Sequence, residues 1–323
     1  LFGVKHAWKE KKGTSGEINL ILINLLRDAG LKAHPILVST RENGAVNTFY
    51  PDWGQFDKVM AYVELPSKNY VLDAVNKYNS CDLIPEDVVA SQGLVIEKID
   101  TYEWGWRSLW DKDLRYEQQI IINAEIDSAT LQLIGRADIR SEGFARTTRM
   151  PTVKEDRKKF IEKFIVGDNA DIKVDTVSME NETLDSLPLV QHVNFSETLS
   201  GTGDYTYFSA NLFAGLNKNP FIQDNRFSDV FFGYKQHYVL NGIFVLPDGY
   251  MFEELPKNIK LMMPDSSIIF SRLSSVDDYI LSMRYTIEFT KPIYSVDNYD
   301  EFKEFYQRLF ELLNEQYVFR KKK

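Results

Sequence analysis

From Glu17 to Arg27 seven of eleven positions are apolar (Ile18, Leu20, Ile21, Leu22, Ile23, Leu25 and Leu26), more than one stripe needs, which predicts a helix buried on most sides. Gly30 supplies its stop. The preceding Thr14-Ser-Gly-Glu17 is a capping-box pattern, with Thr14 as N-cap, so Ser15 takes the first helical position. A short apolar run at Ile36–Val38 is followed by a polar, turn-rich loop over residues 41–55. Two strand-like segments, 56–65 and 70–75, flank Pro66-Ser67 and read as a hairpin. If Leu65 pairs with Lys68, Asp73 stands opposite Met60 and shares a face with Lys58 as its diagonal neighbour.

The segment Tyr102-Glu-Trp-Gly-Trp-Arg-Ser-Leu-Trp110 carries three of the five tryptophans at a change of periodicity, and is expected to plug a junction between domains. Beyond it alternation of period two takes over, at 117–126, 130–139, 189–199, 205–213, 238–246, 267–273 and 279–289, which points to an antiparallel sandwich. Helical spacing marks 153–166 and 299–317, the latter through Phe302, Phe305, Leu309, Leu312 and Leu313. The fold class expected is therefore α+β. A first domain over 1–108 holds a helix and an antiparallel sheet; a β-sandwich region over 109–323 contains an inserted helix at 153–166 and a C-terminal helix at 299–317.

Composition narrows the function. The chain has 323 residues, 44% of them hydrophobic, and a net charge of -9, with a pI near 5.2. This is a globular composition without the concentrated basic face that phosphate contacts require, so nucleic acid is not an expected partner. The basic run Arg320–Lys323 reads as a solvated end. No run of 18 apolar residues is present, so no transmembrane segment is expected. The chain opens at Leu1 rather than Met, which suggests a fragment or processed product whose missing part held a targeting signal or another domain. The lone Cys81 reads as an ordinary loop thiol, and the four histidines (His6, His34, His192 and His237) lack metal-ligand spacing. His34, just before Pro35, is expected at the surface or at a strand end. The acidic residues within 297–304 suit a helix N-terminus better than a calcium loop. No metal or cofactor is expected.

The chemistry centres on Ser15. Free N–H groups and the helix dipole at a first turn favour negative charge, and enzymes place reactive cysteines at such positions. A small residue, a residue at the nucleophile position twelve places before Arg27, a leucine-rich helix, then Arg27-Asp-Ala-Gly-Leu-Lys-Ala33 and a strand resemble the transglutaminase-like superfamily, whose papain-like core includes transglutaminases, cysteine peptidases and peptide N-glycanases. Members carry Cys on the helix, His on one strand and Asp on the next. The resemblance implies that Ser15 occupies the Cys position, Lys58 in Phe56-Asp-Lys-Val59 the His position, and Asp73 in Tyr70-Val-Leu-Asp-Ala74 the Asp position. Only the aspartate is retained. It covers about the first 100 residues, and the following strands are similar to a β-domain found after this core in bacterial envelope proteins.

A serine hydroxyl needs a general base, and a lysine serves as one only when neutral, whereas a neighbouring aspartate stabilises its ammonium form. The expected trio is thus a salt bridge beside a capped helix. The resemblance implies a non-catalytic binding or scaffolding protein of the bacterial envelope, periplasmic or extracytoplasmic, taking a peptide or glycan ligand or an envelope protein partner. Tyr50 and Trp53, with Asp52, lie in the loop expected to rim the old cleft, where they either contact ligand or cover the core. The alternatives are an acyl-transfer enzyme of transglutaminase or peptidase type using Ser15 as nucleophile, or residues from the missing N-terminal part, and an assembly protein whose β-domain carries the function.

Overall fold

The computed structural model describes residues 3–50, 52–98 and 103–323; Leu1 and Tyr102 lie outside them. It comprises two compact units, Leu1–Leu114 and Arg115–Lys323, together an α+β fold built mostly from antiparallel sheets.

The first unit opens with α1 (Val4–Glu10) and α2 (Ser15–Asp28). Five antiparallel strands follow, β1 (Lys32–Val38), β2 (Lys58–Glu64), β3 (Asn69–Leu72), β4 (Gln92–Lys98) and β5 (Glu103–Ser108), in the order β3-β2-β1-β4-β5. The capping box closes as the sequence indicates. Thr14 Oγ1 accepts the Glu17 N–H at 3.3 Å, and the Glu17 carboxylate accepts the Thr14 N–H at 2.9 Å. That carboxylate also accepts the Gly3 N–H at 2.9 Å and so ties the start of α1 to α2.

Helix α2 packs on one sheet face, with Ile23 over Ala33, Ala61 and Val63. It is less enclosed than its apolar count suggests, and Leu25 is 47% exposed. The other face carries Ile36, Val38, Met60, Tyr62, Val71 and Val95. Cover on both faces explains why Met60–Val63 is a continuous buried run instead of an alternating one.

The chain stays in this unit past the expected boundary at 108. Leu109 is fully buried, its carbonyl accepts the Ala90 N–H at 2.8 Å, and its own N–H donates to Ser91 O at 2.9 Å. The tryptophan-rich segment forms β5, an edge strand: Trp104 is half exposed and Trp106 meets Phe56 at 6.0 Å. His34 is an interior residue of β1, opposite Tyr62, rather than a surface residue. Its ring nitrogens are buried without hydrogen-bond partners among the described residues, and burial lowers its pKa.

The second unit begins with the hairpin β6 (Arg115–Ile126) and β7 (Gln132–Gly143), followed by α3 (Phe144–Glu155) and α4 (Arg157–Phe160). Then come β8 (Ile172–Glu180), β9 (Leu189–Thr198), β10 (Ser200–Thr202), β11 (Tyr205–Ser209), β12 (Val230–Phe231) and β13 (Lys235–Val245). The remaining elements are β14 (Tyr250–Glu254), β15 (Ile259–Met262), β16 (Ile268–Asp277), β17 (Ile280–Phe289), β18 (Ile293–Tyr294), α5 (Tyr299–Leu313) and β19 (Gln316–Lys321). One eight-stranded sheet runs β15-β16-β17-β13-β6-β7-β9-β8, antiparallel except where β13 pairs with β6. A four-stranded sheet, β10-β11-β19-β14, faces it in a sandwich-like arrangement, with Phe208 of β11 against Phe244 of β13 at 5.0 Å.

Helix boundaries depart from the sequence reading. The helix expected over 153–166 starts at Phe144, because β7 turns into it through Gly143 at φ +56, where an added Cβ would stand 2.2 Å from Arg115 O. Pro151 lies inside α3, and extended Asp156 then breaks the helix while capping the Lys158 and Lys159 N–H groups. A π-helical turn over Ile161–Val166 completes the segment. Helix α5 ends at Leu313, not 317, and the chain continues as β19. That strand takes in Arg320 and Lys321 of the basic run, while Lys321–Lys323 are exposed as a solvated end would be. Tyr317 and Phe319 are fully buried, and Arg320 pairs with Glu253 at 2.6 Å. The loop around Asn219-Pro-Phe221 has a packing role, since Phe221 stacks edge-on against Phe302 at 4.9 Å and Tyr306 at 4.7 Å.

Candidate functional site

The β2–β3 hairpin holds the register implied by its turn. Ala61 faces Leu72, Glu64 faces Asn69, and Leu65 N–H reaches Lys68 O at 3.2 Å. Lys58 therefore starts β2 beside Asp73, the residue after β3. Lys58 Nζ lies 2.6 Å from Asp73 Oδ2 and 2.6 Å from Asp87 Oδ2. The Asp73 side chain is 2% exposed and that of Lys58 14%.

Burial alone would lower the Lys58 pKa, but its bonds to Asp73 and Asp87 outweigh it, and the pKa is raised. Burial would likewise raise that of Asp73, yet Lys58, Asn19 and the Val75 N–H together lower it. The pair is an ammonium and a carboxylate, so Lys58 has no lone pair with which to take a proton.

Asn19 is the site residue that the sequence reading missed. Fully buried on α2, it donates to Val59 O at 2.8 Å and Asp73 Oδ1 at 3.0 Å and accepts the Ala74 N–H at 2.8 Å. One amide thus fastens helix, hairpin and carboxylate. One of the two asparagines that interrupt the apolar run of α2 was the available signal. Asn19→Leu is expected to cost about 1–3 kcal/mol through the groups it leaves unpaired. Asn24→Ala, on the exposed face, should change stability by less than about 0.5 kcal/mol. Urea midpoints of the two variants give the comparison.

Above Lys58 and Asp73 opens a cleft of about 760 Å³. Thr40, Arg41 and Glu42 form one wall, residues 75–78 another, and Glu86 and Asp87 a third. Asp87 carried no sequence signal, because only the chain's return over residues 77–91 brings it to Lys58. Ser15 is half-buried at the first position of α2, does not line this cleft, and its hydroxyl has no hydrogen-bond partner among the described residues. Tyr50 and Trp53 are not brought to the cleft either. They are 79% and 73% exposed on a loop held by Gln55, which accepts the Asn47 N–H at 2.7 Å and donates to Tyr50 O at 3.0 Å. No group of His, Cys, Asp and Glu among the described residues is placed to hold a metal ion. No helix among them is long and apolar enough to cross a membrane.

Comparisons bear on the fold. The family model DUF3858, a domain of unknown function with a solved structure, matches residues 204–319, which run from β11 into β19. No curated protein matches the chain. A solved structure, designated a "putative protease" from Parabacteroides distasonis ATCC 8503, is similar over 98% of this chain at a TM-score of 0.53 and 9% identity. The match spans 46% of that protein's own chain, just under half its length. At that identity the likeness is one of fold.

Proposed function

We propose that the first unit is a transglutaminase-like, papain-like core that has lost its catalytic pair, and that the protein is a non-catalytic binding or scaffolding component of the bacterial envelope. The observation that carries this reading is Lys58 bonded to both Asp73 and Asp87. In the family pattern this position holds the proton acceptor, and here it holds a fixed cation. The cleft above it takes a peptide or glycan, with the extracytoplasmic side as the place of work. Peptides, peptidoglycan fragments and polysaccharides, screened by nuclear magnetic resonance, are expected to shift signals around Tyr78 and Lys77. Tyr78→Ala should abolish those shifts. A uniformly silent screen would leave the cleft without a ligand and sink the reading.

A second reading, acyl transfer through Ser15, is favoured by that serine's place at the first turn of a capped helix. A fluorophosphonate probe followed by mass spectrometry decides between them. No adduct is expected at Ser15; an adduct lost in Lys58→Met would reverse the choice.

A further inference from the structure

A second cleft in the first unit, of about 610 Å³, lies apart from the one above Lys58 and uses different residues. Its apolar part includes Val71, Leu83, Ile84 and Trp110, and its charged part Lys68, Arg107 and Lys112 with Asp82 and Asp111. The volume suits a small ligand or a peptide end.

Two of its aromatic rings are already occupied. Arg107 lies over Tyr62 at 5.9 Å from the ring centre, and Lys68 over Tyr70 at 5.4 Å. A sugar would need such faces free for stacking, so the cleft is poorly suited to glycans. Its cations, by contrast, keep donors to spare. Arg107 bonds its own neighbour's carbonyl, Trp106 O, at 3.1 Å and stands 3.9 Å from Glu97. Lys112 has no partner among the described residues, whereas Lys68 donates to Asp82 O at 3.3 Å and stands 3.7 Å from Asp111. Asp111 is partly spent on the Asp113 N–H at 2.9 Å, and Asp82 stands exposed. Arg107 and Lys112 are thus the cations with donors to spare, beside an apolar wall.

We propose that this cleft binds a carboxylate attached to an apolar or aromatic group, the chemistry shared by an N-acylated hydrophobic amino acid and the C-terminal residue of a peptide. Arg107 and Lys112 meet the carboxylate, and the side chain lies against Leu83, Ile84 and Trp110. The inference is independent of the function proposed for the cleft above Lys58.

Cys81 makes the test direct, because it is the chain's single cysteine, is exposed and lines this cleft. The rate of Cys81 modification by the aromatic dicarboxylate 5,5′-dithiobis(2-nitrobenzoate) is measured beside that of neutral 4,4′-dithiodipyridine. Arg107→Gln and Lys112→Gln are each expected to slow the anionic reagent by several-fold, up to about tenfold for Arg107→Gln, and to leave the neutral one within about twofold. The neutral rate also reports that each variant keeps its fold. N-acetylphenylalanine should protect Cys81 while its amide does not. A short peptide ending in a free phenylalanine carboxylate, against the same peptide amidated, tells the two sources apart: stronger protection than by the amino acid assigns a peptide end, equal or weaker protection the small acid. Tyr78→Ala should leave protection unchanged, so failure here is separable from failure at the other cleft. Equal protection by acid and amide, no protection by either acid, or variants that slow neither reagent would overturn the assignment.

Discussion

Arg272→Ala is expected to cost the second unit about 3–5 kcal/mol, because a buried guanidinium that satisfies several groups leaves them unpaired when removed. Arg272 is 1% exposed and donates to Lys257 O at 2.9 and 3.0 Å, to Leu312 O at 2.7 Å and to Glu315 Oε2 at 2.5 Å. It thereby joins β16 to the last turn of α5 and to the turn into β19. Glu315 is 40% exposed and can return to water, so most of the cost falls on the two carbonyls. At about 2–4 °C per kcal/mol for a unit of this size, the midpoint of thermal unfolding should fall on the order of 10 °C. Arg272→Lys should recover only part, since an ammonium lacks the planar fork that reaches three acceptors together. A fall of a degree or two for Arg272→Ala would mean that water replaces the guanidinium without strain.

Lys58→Met should destabilise the first unit by a similar amount, about 3–5 kcal/mol at neutral pH, by stranding the carboxylate of Asp73 in a buried position. Lys58→Met combined with Asp73→Leu is expected to be more stable than Lys58→Met alone, because the unpaired charge is then gone. The pH dependence separates this from simple loss of packing. In the parent protein the folded pKa of Asp73 is lowered and that of Lys58 raised. The carboxylate's contribution is therefore complete above its unfolded value of about 3.9 and is lost as pH falls through the folded value. The ammonium's contribution is complete below about 10.4 and is lost as pH rises through its raised folded value. Between those limits the pair gives a plateau. In Lys58→Met the buried carboxylate prefers its proton, so the variant should gain stability relative to the parent as pH drops from 7 toward 4. Thermal midpoints of both proteins across that range test the sign. A constant difference would assign the loss to packing.

Much of the site was readable because its cues are local. Thr14 and Glu17 lie three residues apart on one turn, and the Pro66-Ser67 turn sets the hairpin register without outside help. Lys58 and Asp73 were therefore paired from the sequence alone. Asp87 was not, because its approach depends on a chain return with no periodic pattern. Asn19 was overlooked because its neighbours dominate the count of apolar positions, although its amide is what holds Asp73 in place. The exposure of Tyr50 and Trp53 follows from hydrogen bonds to Gln55, which a tally of aromatic residues does not contain.

The strands of the second unit show the same division. Alternation located β6, β7, β9, β13, β16 and β17, each with one face to the core, as in the inward Ile120, Ile122, Ala124 and Ile126 of β6. It did not locate β14 or β15, which are short, nor β19, whose Tyr317 and Phe319 follow a helical pattern without a break. By itself the sequence determined the capped helix, the hairpin with its Lys58–Asp73 pair and the inward faces of the long strands, because these rest on contacts between near neighbours or on period alone. Only the tertiary structure decided the parallel joining of β6 to β13, the place of β19 and the second carboxylate on Lys58, because each depends on segments far apart in the chain meeting at one point.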